Sequence, residues 1–288
     1  MSLESGHREV WINSSESALM RPKHLFRQIF KEIIGSRELS FMLATRDLKA
    51  QYRQSILGIF WMFIPPIALA VMLAVGKSNA LINPGKTDLP YPFYVFFSMA
   101  LWEVFIASLN GPMMAMTANR GILTKVRFPH AAIVIADMTK LCFTTGIRLI
   151  LIATGFVVFK IPIGWTTLLA PLALFMLMLL GTGFGLLLAP VGLLYRDIAN
   201  SMQYIALGWL AITPVTYPPN NYPGIFATTV RLNPVTPMIV TVRELATAHH
   251  LTMLPQFFAV VGLAIVMLSI AVVLLRASMP LIIERWSA

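Results

Sequence analysis

Apolar residues along this chain come in long blocks with few charges, separated by short polar or basic stretches, a pattern set by bilayer thickness. From Ile56 to Gly76 no acidic or basic residue occurs, and at about 1.5 Å rise per residue such a run crosses a hydrocarbon core about 30 Å thick. The same reading predicts spans at about 56–76, 92–116, 131–159, 167–194, 201–214 and 255–275. The connectors carry the turn chemistry expected between spans: GKSNALINPGKTDLPYP and KIPIGW on one side, ANRGILTKVRFPH and LYRDIAN on the other. Residues 215–250 differ. They are apolar but broken by Pro218, Pro219, Pro223, Pro234 and Pro237, too interrupted for one spanning helix. Two short helices, near 223–232 and 237–248, are predicted to dip into the outer leaflet, where irregular backbone needs protein or water beside it.

The predicted fold is thus all-α and integral to the membrane. Residues 1–20 form a flexible tail, polar and without the apolar core of a cleavable signal. Residues 21–54 follow as an amphipathic interfacial helix, residues 55–276 as the six-helix domain, and 277–288 as a second tail. In the amphipathic stretch Leu25, Phe26, Ile29, Ile33 and Ile34 recur at helical spacing against Lys23, Arg27 and Lys31. Of the 22 Lys and Arg residues, about three lie on the side of the amino terminus for each one across the membrane, which places both termini in the cytoplasm.

Composition agrees: 57% of residues are hydrophobic, 12% are charged and the mean hydropathy is +0.75. The net charge of +10 does not point to nucleic acid, because the basic residues flank apolar spans and face anionic headgroups. The single cysteine, Cys142, excludes an internal disulfide or a cysteine metal site and reads as a small buried side chain. The five histidines have no zinc spacing, and no nucleophile–base set is apparent, so no catalytic centre and no metal site are expected. ALINPGKT, 80–87, fits a relaxed phosphate-loop pattern, yet it follows a span instead of a strand and runs into LPYPF without opening a helix at its lysine. It reads as a turn.

Four charges fall inside predicted spans, where an unpaired ion costs at least about 2.5 to 3.5 kcal/mol. Asp137 and Lys140, three apart on one helix, can neutralise each other. Glu103 and Arg148 each lie about 16 Å below the outer end of their own span, so they are predicted to pair. GTGFG, 181–185, sets Gly181 and Gly185 on one helix face, as close helix packing requires. Aromatic residues crowd the outer half, among them Tyr91, Phe93, Tyr94, Phe97, Trp102, Trp165 and Tyr217, and a membrane-interface belt accounts for most. Trp61 and Trp102 lie deeper, where flat faces suit sugar rings sliding past.

RDLKAQYRQSILGIFWMFIPP, 46–66, resembles the opening signature of ABC-2 type permeases that export polysaccharides such as O-antigen, capsule and teichoic acid. GILTKVRFPHA resembles their second signature, LYRDIANSMQY with TPVTYPP the third, and RLNPVTPMIVTVRELA the external segment before the last span. The similarity runs in order from about residue 39 to 287. It implies a homodimeric channel in the bacterial inner membrane, joined to two copies of a separate ATPase that carries ATP and Mg, moving a lipid-linked glycan. No cofactor is implied on this chain. The resemblance further implies that Asn119, Arg120, Lys125, Val126, Arg127, Phe128 and Pro129 include the ATPase-coupling helix, with Tyr195, Arg196 and Asp197 as a lesser contact. It places Arg46, Lys49 and Arg53 beside the gate for the lipid headgroup. Trp61, Trp102, Glu103, Arg148 and Tyr217 are the candidates for the channel path. Export of drugs or other small lipophiles is the nearest alternative within the fold. An ion-coupled carrier, which would show inverted repeats and broken mid-membrane helices, is the alternative outside it.

Overall fold

The computed structural model describes residues 35–53, 56–125, 130–219 and 223–287. The tail at 1–20 and the apolar stripe on Leu25, Phe26, Ile29, Ile33 and Ile34 lie outside the described residues. What is described is α-helical, with two short 3-10 segments and no strand. The helices are α1 (Arg37–Tyr52), α2 (Ile64–Ser78), α3 (Tyr91–Ala118), α4 (Arg120–Lys125), α5 (His130–Val158), α6 (Ala170–Leu194), α7 (Arg196–Ala211), α8 (Ile225–Leu232), α9 (Val235–Ala246) and α10 (Leu254–Ser287).

Five of these, some with a leading 3-10 turn, are long and apolar enough to cross a bilayer: 58–78, 91–118, 130–158, 165–194 and 254–286. The chain is an all-α membrane protein. The predicted fifth span, 201–214, needs correction. Its helix begins earlier, at Arg196, which shrinks the LYRDIAN turn to Tyr195, and it ends at Ala211 after 16 residues. At about 1.5 Å per residue that is only about 24 Å. Tight turns from Ile212 N to Trp209 O and Thr213 N to Leu210 O close it ahead of Pro214. α8 and α9 form as a pair bent by 74°, which is how the proline-broken segment before the last span resolves.

α3 and α6 make the centre, with 67% and 61% of their spanning windows buried against 11% for the first span. α6 packs on α3 along one side and on α10 along the other; α2 and α5 flank α3, and α1 lies on α5. Glycine makes the α3–α6 seam possible. A Cβ on Gly181 would meet the Phe105 carbonyl and the Ser108 hydroxyl, and one on Gly185 would meet the Leu109 carbonyl, so the two backbones touch where side chains would otherwise stand.

Central placement of α3 also corrects the aromatic belt. Phe93, Tyr94 and Phe97 are buried at 1 to 2% exposure, because this part of α3 is packed among α2, α5 and α6. Phe93 packs instead on Phe97, Phe156 and Phe159 at 5.8, 5.4 and 5.4 Å between centroids. Trp165, at 77% exposure, keeps the belt position. Cys142, expected inside, is exposed on α5. On α1, Ser40, Leu43 and Ala44 are buried while Phe41 and Met42 are exposed, so this half of the helix carries apolar residues on two faces.

The bend between α8 and α9 is held by Asn233. Its carboxamide oxygen accepts from Trp209 Nε1 at 2.9 Å and Val235 N at 3.0 Å, and its nitrogen donates to Thr213 Oγ1 at 2.8 Å and Ile212 O at 3.2 Å. One buried side chain thereby satisfies the end of α7 and the start of α9 together. α9 is anchored to α3 by Arg243, 4% exposed, whose guanidinium lies 4.1 Å from the Tyr94 ring centroid and donates to Ser98 Oγ at 3.0 Å.

Gly185→Ala should cost about 1 to 3 kcal/mol through overpacking of the seam, read as a lower unfolding temperature in detergent. Gly146→Ala, with nothing within 4 Å of the new methyl, should stay within about 0.5 kcal/mol of the parent or exceed it. Equal effects at the two sites would refute the seam.

Candidate translocation cavity

The intramembrane charges come together around one cavity of about 980 Å³ between the end of α1, the 3-10 turn at Gly58–Phe63, α3, α5 and α7. Helical periodicity builds its walls. Trp102, Glu103, Ile106 and Asn110 recur along one face of α3, and Asp137, Lys140, Thr144 and Arg148 along one face of α5. Gln203, Tyr204, Leu207 and Leu210 supply α7, while Gln51, Tyr52 and Trp61 close the side toward the amino-terminal helix.

Both predicted charge pairs form. Arg148 Nη2 stands 3.3 Å from Glu103 Oε2, with side chains 13% and 16% exposed. Lys140 Nζ lies 3.2 Å from Asp137 Oδ1, and the carboxylate is the deeper partner at 4% against 28%. Gly111 makes room for that carboxylate, since a Cβ there would collide with it. Beside Arg148, Tyr52 Oη and Arg148 Nε are buried without a hydrogen-bond partner. Burial raises the Tyr52 hydroxyl above its ordinary pKa, with the Arg148 guanidinium opposing, so it is a neutral group with both a donor and an acceptor to offer.

Of the residues expected on the path, Trp61, Trp102, Glu103 and Arg148 line the cavity. Trp61 is 58% exposed, whereas Trp102 is buried and packs against Trp209 and Phe105 at 6.4 and 5.5 Å. Tyr217 is not brought to the cavity. Its hydroxyl donates to Ala211 O at 2.8 Å and its own carbonyl accepts from Tyr94 Oη at 2.9 Å, because the proline-rich turn after α7 folds it back onto the core.

The residues expected at the ATPase and headgroup contacts are tied across elements. Arg46 donates from Nη2 to Asn119 Oδ1 at 2.7 Å as well as to Asp47 Oδ1 at 2.7 Å, and Lys49 and Arg53 are exposed. Asn119 is only 3% exposed and also donates to Ala115 O at 2.8 Å, so this expected ATPase contact is an internal joint between α1 and α3. Arg120 donates to Trp286 O at 2.8 Å and stacks on its ring at 5.1 Å, and Arg285 stacks on Tyr195 at 5.3 Å. Lys125 is exposed at the end of α4 and Asp197 in the first turn of α7, which Arg196 begins. Val126, Arg127, Phe128 and Pro129 lie outside the described residues.

With this architecture in place, the whole segment 38–247 matches the model of the family described as ABC-2 type transporter. The chain belongs to the ABC-2 type transporter family. ABC-2 proteins similar to it include the O-antigen export system permease protein RfbA of Myxococcus xanthus, 26% identical over 84% of this chain and 92% of the relative. Two proteins of the same name from Klebsiella pneumoniae are 23% and 24% identical, each over 72% of this chain and 80% of the relative. As an ABC-2 permease, this chain is a membrane subunit. Among its described residues no cluster of His, Cys, Asp and Glu could hold a metal ion.

Sequence reasoning missed Gln51, Tyr52, Asn110, Thr144 and Gln203. For Asn110 and Thr144 the available signal was the spacing of polar residues at three, four and seven positions along the second and third spans, which marks one wet face on each helix.

Glu103→Arg or Arg148→Glu alone should lower the unfolding temperature in detergent by the equivalent of about 1 to 3 kcal/mol, since each leaves two like charges facing at depth. The double reversal should recover most of that loss. A double variant no better than either single one would refute the pair. At the α1–α3 joint, Arg46→Ala and Asn119→Ala should be non-additive by about 0.5 kcal/mol or more in a double-mutant cycle of the same unfolding measurement.

Proposed function

We propose that this chain is the channel-forming subunit of an ATP-driven exporter that moves a lipid-linked polysaccharide across the bacterial cytoplasmic membrane. In this reading two copies of the chain assemble with two copies of a separate ATPase, which binds ATP and Mg. The observation that carries the proposal is the cavity. The exposed indole of Trp61 stands among amides and hydroxyls, with Trp102 buried in the wall beside them, in a family whose similar members are named for O-antigen export. Flat apolar faces stack on sugar rings without fixing one register, and amides exchange hydrogen bonds with successive hydroxyls, as a sliding polymer requires.

A polymer longer than the membrane is thick cannot be enclosed in an alternating pocket, so a continuous path and an external motor are needed. The first span supports a dimeric path, because it leaves Val71, Met72 and Val75 exposed at 54 to 61%, an apolar flank open to a second copy or to lipid. The basic bias of the connectors supports cytoplasmic termini. On the inner rim Lys49 and Arg53 stand exposed, where they would meet the diphosphate of a lipid carrier. The connector that ends α4 at Lys125 is the element proposed to seat in the ATPase. From there Arg120, Trp286 and the Arg46–Asn119 bond offer routes for force to reach α10, α1 and α3.

Replacing Lys125, Arg127 and Phe128 together with alanine should reduce export at least about tenfold, with the protein still inserted in the membrane. Surface polysaccharide on intact cells is the readout, alongside co-purification of an ATPase in mild detergent. Unchanged export, or a parent protein that repeatedly purifies without an ATPase, would overturn the reading.

A further inference from the structure

The exporter reading leaves open which polysaccharides fit, and the charge arrangement of the cavity bears on this directly. Its described lining holds four charged side chains, two acids and two bases, and each acid is matched by a base within 3.3 Å: Glu103 with Arg148 and Asp137 with Lys140. The net charge of this lining is zero. Every other polar lining group is neutral, with carboxamides at Gln51, Asn110 and Gln203 and hydroxyls at Tyr52, Thr144 and Tyr204. Lys49 and Arg53, exposed on and just after α1, are not among the lining residues. Pores that carry anions line themselves with unpaired Lys or Arg, which replace the hydration the ion gives up. Here both cations are already committed, and a carboxylate or phosphate passing them would have to compete with Glu103 and Asp137 or remain without compensation at membrane depth. A hydroxyl needs no such compensation. The carboxamides and hydroxyls of the lining exchange hydrogen bonds with a neutral hydroxyl as readily as with water.

We propose that this cavity selects a polysaccharide whose repeat carries no net charge, and rejects polyanionic chains rich in uronic acid or phosphate. The inference rests on the exporter reading and adds the class of cargo. The diphosphate of the lipid carrier is handled at the basic rim, so a single anionic end is compatible with a neutral interior.

Two measurements test it. Depletion of the chain in its native host should cause a lipid-linked glycan to accumulate inside, and anion-exchange chromatography after release of the diphosphate should find its repeat uncharged. A repeat bearing a carboxylate or phosphate would overturn the selection. The same glycan is then offered to the full complex with its ATPase in proteoliposomes in three forms: unmodified, succinylated on part of its hydroxyls, and carrying the methyl ester of the same succinyl group as a neutral control of equal bulk. The succinylated form should move at least about tenfold more slowly than its methyl ester. Equal rates for those two forms would overturn charge selection while leaving export intact. If no glycan accumulates on depletion, the exporter reading fails, and the inference fails with it.

Discussion

The close approach of α3 and α6 at Gly181 and Gly185 is the constraint on which the rest of the fold depends. In a bilayer no hydrophobic gain drives two apolar helices together, so contact has to come from shape, and two missing side chains let backbone meet backbone. Once that seam closes, the orientation of α3 is fixed. One face is spent on α6, and the face carrying Trp102, Glu103, Ile106 and Asn110 turns toward α5 and α7. The cavity is therefore a consequence of packing on the opposite side of the same helix. Its charges can be held at depth because Gly111 opens a seat for Asp137 against α3.

Much of this was legible in the sequence. Long apolar runs, separated by turn-forming connectors, give the five long helices directly, because a span is defined by length and hydropathy with little help from tertiary contacts. The prolines at 234 and 237 announced the bent pair α8–α9. Matching depth along two spans was enough to pair Glu103 with Arg148, since intramembrane charges have few affordable partners. Other features could not be read this way. Whether an aromatic residue near the outer end of a span belongs to an interfacial belt or to the core depends on which helix is central, and hydropathy does not say. Hence Phe93, Tyr94 and Phe97 proved to be core, and Cys142 proved exposed. The short α7 escaped for a related reason: its amino-terminal turn is polar, and only the capping geometry at Tyr195 shows where the helix starts.

The site divides along the same line. Glu103, Arg148, Trp61 and Trp102 were recognisable as individual residues out of place in a membrane. Gln51, Tyr52 and Gln203 were not, because a neutral polar residue near a span end is unremarked until the fold brings it to a cavity. The family resemblance assigned Asn119 and Arg46 to separate surfaces, one facing an ATPase and the other facing lipid. The structure joins them through a 2.7 Å hydrogen bond, with Asn119 buried. The helix 37–52 and the connector after α3 thus share a joint, and displacing one loads the hydrogen bond to the other.

Asn233 carries a comparable consequence at the opposite end of the bundle. Four hydrogen bonds converge on one carboxamide and clamp the end of α7, the turn beyond it and the bend of α8 onto α9. Because they share a single side chain, these parts cannot loosen one at a time. The outer segment is a rigid bracket, able to swing with α7 as a unit. Widening beneath it therefore requires these parts to move together or all four bonds to be lost.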